Sequence, residues 1–317
     1  FDLEQVSNLE LNYDERKSAR KMSSLFQTQH YESVLKPGDM ERIIPKLSWH
    51  LEEPRIGQSY PNFHIANYAS KFVKVVLSGT GGDELFGGYP WRYYLKGNQG
   101  NFSKFIDDYH NYWQRLIKNK DILNFMMPIK KEIKDYDTSL LFKNVISKHS
   151  DKVSSNDDYI NLSLYFECKT FLHSLLIVED KLSMAHSLET RYPFLDNDIV
   201  DFAMRCPLKF KLKNLKNFIS IDENEFRNKQ DLFFLKTNDG KKLLRKSLLK
   251  YVPKSIAFAK KQGFSSPDSS WFKKQNSNYL KKSILKRKSR IYDYLSYNEV
   301  YSHVDLHMKN KKNNRLL

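Results

Sequence analysis

The order of apolar and polar residues at the start of the chain predicts two helices with a short strand between them. From Asp14 to about Gln27, apolar side chains recur three and four positions apart and basic residues fill many of the other positions, which is the pattern of a surface helix. Residues 30–35 predict a short strand. Residues 39–51 predict a second helix, in which Pro45 would introduce a kink.

The strongest strand pattern follows a third predicted helix, which starts after Pro61. Residues 72–77 read FVKVVL, an apolar and β-branched run of the length expected for a buried strand in a parallel sheet. Residues 83–86 then predict the start of another helix. Because strands alternate with helices in this half, the pattern predicts an α/β fold with a parallel sheet.

Beyond Trp91 the pattern is mainly helical. Apolar and aromatic residues keep a helical period over four further stretches, which are residues 102–125, 159–187, 198–204 and 243–251. Residues 209–239 show no clear period and predict a loop region with a short hairpin. We therefore divide the chain into a partial α/β nucleotide-binding core, residues 1–90, and a large helical part of the same domain, residues 91–317.

Composition and charge narrow the class of protein. Hydrophobic residues make up 40% of the chain, and 53 Lys and Arg against 37 Asp and Glu give a formal net charge of +16. No run reaches the ~18 apolar residues that span a bilayer. Cys168 and Cys206 are too few for a disulfide framework, so we expect a soluble, cytoplasmic protein. Because the chain starts at Phe1 and shows no targeting segment, we expect it to be the inner part of a longer polypeptide.

Glycine is concentrated at one place, directly after the predicted strand 72–77. Of the 11 glycines, five lie between Gly79 and Gly88. Glycines at the carboxyl end of a parallel strand let backbone N–H groups close on a phosphate. The carboxylates of Asp83 and Glu84 would suit such a site if Mg²⁺ lay between them and the phosphate. The segment matches neither the Walker sequence nor GxGxxG, and the alternative is a tight turn with acidic residues in the first turn of a helix.

Three long motifs occur along the chain. Residues 78–89 read SGTGGDELFGGY, residues 179–196 read EDKLSMAHSLETRYPFLD, and residues 261–264 read KQGF, followed by Pro267 and Trp271. The first resembles SGEGxDELFGGY of the glutamine-dependent asparagine synthetases. The second and third resemble two further blocks of that family, in the same order and at roughly the same separations, so the resemblance covers almost the whole chain.

The resemblance implies a synthetase domain of the ATP-pyrophosphatase (HUP-like) fold. Such a domain uses Mg-ATP to convert a carboxylic acid, aspartate or a related acid, into an acyl-adenylate, and ammonia from glutamine then gives the amide. Ser78 and Gly79 match family positions that contact the adenosine of ATP, and Asp83 matches a magnesium-binding carboxylate. Lys261 matches a lysine that stabilises charge at the reacting centre, a role that suits an ammonium group. The expected partners also include a glutaminase domain and a second copy of the chain in a homodimer.

Thr80 departs from this family pattern, because the asparagine synthetases have a glutamate there. A threonine cannot act as a carboxylate base, so either the acid is not aspartate or another group, such as Glu84, accepts the proton. Within the second motif, Asp180 and its neighbour Glu179 are candidates to line the substrate side of the cleft. His186, on the apolar part of the same motif, is predicted to be a packing residue rather than a base.

Two further family features are not found in the sequence. The pyrophosphate loop SGGxDS is absent, and neither cysteine matches the nucleophile of the N-terminal glutaminase domain. We therefore expect the chain to be inactive by itself.

Several alternatives remain open. An amidotransferase acting on a sugar or surface-polymer acid would explain Thr80, and a β-lactam-forming synthetase shares the fold. A non-catalytic paralogue could serve as a binding scaffold. The positive charge and the many aromatic residues are also a footprint of nucleic-acid binding. The charge is spread along the chain, however, and no nucleic-acid motif is present, so nucleic acid is not the expected partner.

Overall fold

The computed structural model describes residues 14–53, 59–94, 101–114, 116–213, 239–259, 267–273, 277–309 and 311–312. Helices dominate these residues. The helices are α1 Arg16–Phe26, α2 Asp39–Leu51, α3 Ser59–Ala69, α4 Gly82–Phe86, α5 Pro90–Tyr93, α6 Phe102–Trp113, α7 Asn119–Phe125, α8 Lys130–Ile133, α9 Thr138–Ile146, α10 Asn156–Glu167, α11 His173–Met184, α12 Asn197–Arg205, α13 Leu208–Lys211, α14 Lys242–Leu248, α15 Lys254–Ala257, α16 Asp268–Lys273, α17 Ser277–Tyr279 and α18 Tyr297–Met308.

Shorter helical turns connect some of these helices. The 3₁₀ turns are Met127–Ile129, Ser147–Lys152, Pro193–Leu195 and Arg290–Asp293, and the π-helical turns are Cys168–Leu172 and Leu280–Ile284. No helix in the described ranges is both long and apolar enough to cross a bilayer.

Two strands, β1 Val75–Leu77 and β2 Glu189–Arg191, form the sheet within the described residues. They run parallel, with Val76 opposite Thr190, and the chain between them contains the eight described helices α4 to α11. Parallel pairing across a helical connection confirms the predicted α/β class. β1 is shorter than the predicted strand, and the prediction that it is buried was wrong, since Leu77 is 74% exposed. In the described part of the chain, β1 has a neighbour on one edge only.

One other predicted element is not formed, and one predicted helical stretch is divided. Residues 30–35 are not a strand, because no described strand pairs with them. The helical stretch predicted over residues 102–125 consists of two helices, α6 and α7. Between them, the Gln114 side chain accepts a hydrogen bond of 2.7 Å from the first backbone N–H of α7, which gives the chain a local alternative to a continuous helix. β2 begins two residues after the predicted helical stretch 159–187, and the sequence pattern did not indicate it.

The long helix predicted for residues 159–187 is otherwise confirmed. Ser155 caps α10 through a reciprocal pair of hydrogen bonds with Asp158, and the helical path then continues through the π turn Cys168–Leu172 into α11. A π turn holds one residue more than an α turn and is often found at functional sites. Here it determines how α11 is rotated relative to α10.

α11 is held by an apolar cluster that it shares with α2, α3 and α16. Val178 and Leu182 supply its side, and Leu182 is fully buried. The other buried members are Met40, Ile43, Leu47, Leu51, Tyr60, Phe63 and Trp271. Burying side chains of this size contributes roughly 1.5–3 kcal/mol each, which is enough to fix the helix position. The residue after Val178 is Glu179, so this packing positions that carboxylate.

A second cluster, mainly aromatic, joins α6, α9 and α10. Its buried members are Phe105, Ile106, Tyr109, Phe142, Ile146, Tyr159, Leu162 and Phe166. A smaller cluster packs α4 against α12 through Leu85, Phe86 and Ala203. The helix that follows the glycine-rich loop is therefore anchored in the core of the helical part. The boundary between residues 90 and 91 stays a prediction, as does the hairpin in residues 209–239, most of which lie outside the described residues.

Candidate functional site

The glycine-rich loop connects the carboxyl end of β1 to the start of α4. Gly81 has φ +98°, and a Cβ atom there would lie 2.5 Å from the Leu195 side chain, so both the backbone and the space require glycine. Gly79 is different, because a Cβ atom there would meet no protein atom within 4 Å. The backbone at Gly79 is thus open to close approach by a ligand. This location, at the carboxyl end of a parallel strand, is where ligands bind in open α/β sheets.

A row of hydroxyl groups runs from this loop to a carboxylate on α11. The Ser78 and Thr80 hydroxyl oxygens are 3.0 Å apart, and the Thr80 hydroxyl donates a hydrogen bond of 2.8 Å to the Glu179 carboxylate. The Ser78 backbone N–H donates to the Arg191 carbonyl oxygen at 2.8 Å, which extends the pairing of β1 and β2 by one residue. The loop, β2 and α11 therefore meet at Thr80.

Glu179 supplies at this place the carboxylate that residue 80 lacks. It is half-buried, whereas its neighbour Asp180 is exposed. The sequence named both residues as candidates, and the contact with Thr80 distinguishes them. A charge-assisted hydrogen bond of this length both orients the carboxylate and strengthens the hydroxyl contact.

Tyr192 is a neighbour of this carboxylate that the sequence did not indicate. Its hydroxyl oxygen is buried and has no hydrogen-bond partner among the described residues. Burial raises the pKa of the Tyr192 phenol, and the nearby carboxylates of Glu179 and Asp180 raise it further. A buried phenol without a partner is rare in folded proteins and has one donor available for a bound molecule. The only sequence signal was its position before Pro193, which concerned the backbone.

Asp83 lies on the first turn of α4 and is paired with a cation. Its carboxylate is 2.8 Å from the Lys241 ammonium group, and a Cβ atom on Gly88 would overlap it. The Lys241 backbone N–H also donates to the Phe86 carbonyl oxygen at 3.1 Å. In this arrangement Asp83 neutralises a lysine, and no group of three or more candidate ligands is assembled among the described residues. These residues do not by themselves form a magnesium site, and the role predicted for Asp83 stays a prediction.

Glu84, the other acidic residue of this turn, is 2% exposed. Its carboxylate accepts a hydrogen bond of 3.1 Å from the Tyr89 hydroxyl. Burial raises the pKa of Glu84, and the neighbouring Asp83 carboxylate adds to the effect. A carboxylate buried to this extent has little access to a substrate. The role predicted for Glu84 as proton acceptor stays a prediction.

An ion pair beneath this turn links α5 to α10. The Arg92 guanidinium lies 3.2 Å from the Glu167 carboxylate, and both side chains are buried. Burial alone would lower the pKa of Arg92, but Glu167 and the surrounding tyrosines outweigh it, so the pKa is raised and the charge is retained. The guanidinium also stacks on the ring of Tyr89 at 4.1 Å and on that of Phe171, in the π turn, at 4.5 Å.

The structure thus brings together part of the predicted site. Ser78, Gly79 and Thr80 share the loop, and Thr80 contacts Glu179, next to the predicted Asp180. Asp83 and Glu84 begin α4 but make contacts with Lys241 and Tyr89 instead of with that hydroxyl row. Lys261 lies outside the described residues. Lys241 was missed because no local pattern connects it to Asp83, whose partner comes from a distant part of the chain.

Comparison with known proteins finds relatives along most of the chain. A model of the asparagine synthase family matches residues 6–316. Asparagine synthetase (glutamine-hydrolyzing) 1 of Bacillus subtilis (strain 168) is 26% identical over 308 residues, covering 88% of this chain and 44% of that protein. A putative asparagine synthetase (glutamine-hydrolyzing) of Mycobacterium bovis is 26% identical over 277 residues, covering 77% of this chain and 38% of that protein. A second putative asparagine synthetase, from Methanocaldococcus jannaschii, is 35% identical over 122 residues, which are 38% of this chain and 21% of that protein.

The family match and the matches to single relatives differ in how much of each protein they cover. The chain spans less than half the length of these curated relatives. The family match, by contrast, runs over nearly the whole chain and includes the glycine-rich loop, Glu179 and both strands. It confirms the ATP-pyrophosphatase type of α/β fold that the motifs predicted. The chain belongs to the asparagine synthase family.

Proposed function

We propose that this chain forms the ATP-binding and amide-forming part of an ATP-dependent carbon–nitrogen ligase. The observation that carries the proposal is the hydroxyl row of Ser78 and Thr80, which ends on Glu179 beside the open backbone of Gly79. The curated relatives are named asparagine synthetases that hydrolyse glutamine. Aspartate or a related carboxylic acid would be the substrate, and ammonia from glutamine would be the nitrogen source.

The first step would join the acid to ATP. A carboxylate oxygen of the acid attacks the α-phosphorus of ATP, an O–P bond forms, and the bond to pyrophosphate breaks. The loop backbone and the Ser78 hydroxyl are placed to hold the nucleotide, because Gly79 leaves room for close approach. Magnesium, when bound with ATP, would offset the negative charge of the leaving pyrophosphate.

The second step would form the amide. Ammonia attacks the carbonyl carbon of the acyl-adenylate, a proton leaves the nitrogen, and AMP departs as the C–O bond breaks. Glu179 would accept that proton, because it is the carboxylate that meets the loop at Thr80. Thr80 would hold Glu179 in place by donating its hydroxyl hydrogen. In this arrangement the carboxylate comes from α11, whereas the family's asparagine synthetases have a glutamate in the loop.

Nucleotide binding by the loop can be tested with Gly79→Ala. The added methyl group meets no protein atom within 4 Å, so the free energy of unfolding should change little. If ATP approaches this backbone, the methyl group should weaken Mg-ATP binding at least about tenfold, as measured by calorimetry. Gly82→Ala is the matched control for a packing effect, because its methyl group would contact Phe194 at 3.2 Å. Equal ATP affinity of Gly79→Ala and the parent chain would contradict the proposed binding mode.

The predicted inactivity of the isolated chain is part of the same proposal. The 317-residue chain should bind Mg-ATP and show no ATP–pyrophosphate exchange with any acid, because it does not contain the pyrophosphate-loop sequence. Exchange with any acid would contradict the prediction of inactivity and would identify the substrate directly. The nucleic-acid alternative makes a different prediction, namely a salt-dependent mobility shift of RNA or DNA at physiological ionic strength.

A further inference from the structure

A cavity of about 590 Å³ lies at the end of the sheet opposite the glycine-rich loop. Its lining includes Asn67, in the last turn of α3, and His186, in the turn after α11. Those two elements lead into the amino ends of β1 and β2, whereas the loop follows the carboxyl end of β1. The volume is within the range of small-molecule sites, roughly 300–1,000 Å³. The cavity is therefore separate from the place at which Thr80 meets Glu179.

The polar lining of this cavity is basic. Lys46 and His50 come from α2 and His186 from the turn after α11, and none of the described residues that line it is acidic. His64, on α3, acts electrostatically on His186 from the same side. Groups of one sign around a concave surface concentrate the potential there and favour a ligand of the opposite sign. A metal ion is a poorer fit, because no described group of three or more potential ligands has a suitable arrangement.

Among the described residues that line the cavity, His186, like His64 beside the lining, has a buried ring nitrogen without a hydrogen-bond partner. Its ring packs against Phe63, with the ring centroids 4.4 Å apart, as the predicted packing role requires. Its Nε2 atom, however, is buried and has no hydrogen-bond partner among the described residues. Burial lowers the pKa of His186, and the neighbouring His50, Lys46 and His64 lower it further. A bound negative charge would reverse the effect of those neighbours and favour protonation.

Trp49 gives the cavity a flat apolar wall. Its side chain is 80% exposed, whereas Trp91 and Trp271 are 5% and 2% exposed. An indole ring left in solvent next to basic groups offers a stacking surface for a planar ring. The remaining tryptophan, Trp113, packs against Arg92 and belongs to the aromatic cluster around α6.

We propose that this cavity binds a small organic anion that carries a planar ring, with the charge held by Lys46, His50 and His186 and the ring stacked on Trp49. Binding takes up a proton, because His186 gains charge when the anion is present. The titratable and charged groups that face His186 are Lys46 and His50 from α2 and His64 from α3. The site is independent of the proposed ligase activity, since it involves neither the loop nor Glu179.

The test uses phenyl phosphate as the probe and Trp49 fluorescence as the signal, in the 317-residue chain. Phenyl phosphate carries both a ring and a charge, inorganic phosphate carries the charge alone, and benzyl alcohol carries the ring alone. We expect saturable quenching by phenyl phosphate, at least about tenfold tighter than by either control compound. Relative to His186→Gln, the affinity of the parent chain should fall about tenfold between about pH 6 and about pH 8 as His186 loses its proton, a comparison in which the titration of the phosphate itself near pH 6 cancels.

Variants connect the signal to the named residues. Lys46→Gln should weaken phenyl phosphate binding about fivefold without loss of stability, because Lys46 is exposed. His186→Gln should remove most of the pH dependence, and His173→Gln, which changes an exposed histidine on α11, should leave it intact. Trp49→Phe should abolish the fluorescence change. Quenching of equal strength by all three compounds, or affinity that is the same at both pH values and in Lys46→Gln, would overturn the proposal.

Discussion

At the scale of single residues, the most informative contact is the one between Thr80 and Glu179. Thr80→Val keeps the shape of the side chain and removes the donor, so it should cost about 1 kcal/mol of stability and leave the Glu179 carboxylate without its loop contact. The role of that carboxylate is then tested by Glu179→Gln, which can still accept the Thr80 hydrogen bond but cannot take up a proton.

We expect Glu179→Gln to lower kcat for amide formation by roughly 10²–10⁴-fold, which is the usual contribution of a general base, while Mg-ATP affinity stays unchanged. The assay uses the polypeptide that the gene encodes, with ammonium chloride as the nitrogen source. Asp180→Asn is the matched control, because Asp180 is the exposed neighbour on α11. A large loss of kcat in Asp180→Asn alone would assign the substrate role to Asp180, as the sequence also allowed.

Glu84 makes a prediction about pH. Burial raises the pKa of Glu84 in the folded chain above its usual value of 4.5, so folding favours its protonated form. The stability that depends on Glu84 is therefore largest below that value and decreases as pH rises through the folded-state pKa. Glu84→Gln keeps an acceptor for Tyr89 and removes the ionisation. Chemical denaturation should then show a smaller loss of stability from acidic to neutral pH than in the parent chain.

The same variant separates the two roles considered for Glu84. If Glu84 supports the loop only through its contact with Tyr89, Glu84→Gln should retain ligase activity in the polypeptide that the gene encodes. Loss of activity with unchanged stability would support the catalytic role that was predicted from the sequence.

At the scale of elements, the Arg92–Glu167 pair connects the segment after the loop to the long helix. Glu167→Gln leaves a buried guanidinium without its counter-charge, and should lower the free energy of unfolding by about 3–5 kcal/mol. The double variant Arg92→Met with Glu167→Leu should be less destabilised than Glu167→Gln, since it buries no charge. Urea denaturation measures both. If the double variant were the least stable, the aromatic stacking on Arg92 would outweigh the ion pair.

Elements also show how far sequence reasoning can reach. α1, α2, α12 and the long helical path through α10 and α11 were predicted, because each keeps an apolar period along one face or one packed side. β2 was missed because its three residues, Glu189–Arg191, carry no apolar alternation and are held by backbone pairing with β1. The prediction of the site had the same limit. Motifs located the loop, but only the folded position of α11 shows that Glu179, and not Asp180, accepts the hydrogen bond from Thr80.

At the scale of the whole molecule, β1 leaves apolar side chains in contact with solvent. Val73 and Val75 are 45% and 41% exposed, on and beside a strand whose partner in the described residues covers one edge. Open edges with apolar side chains promote pairing between chains, and the net charge of +16 opposes it. We expect concentration-dependent self-association that increases with salt, as the repulsion is screened.

The double variant Val73→Thr with Val75→Thr should reduce this association, as measured by sedimentation at low and high salt. Threonine keeps the β-branched shape that suits a strand, so the free energy of unfolding should change by less than about 1 kcal/mol. A homodimer that survived the double substitution would have to use another surface. Unchanged association at every salt concentration would show that the exposed strand does not drive it.

The π turn between α10 and α11 determines the rotation of α11 and therefore the position of Glu179. Each helical residue advances the direction of its side chain by about 100°, so removing one residue from Cys168–Leu172 would turn α11 by that angle and shift it by about 1.5 Å along its axis. Glu167 would stay with Arg92, while Glu179 would swing away from Thr80. Neither helix would need to unwind. The same rotation would also take Val178 and Leu182 out of the apolar cluster around α11, so a single deletion would cost stability as well as the contact between the loop and its carboxylate. The length of this one turn therefore determines both the packing of α11 and the carboxylate that meets the loop.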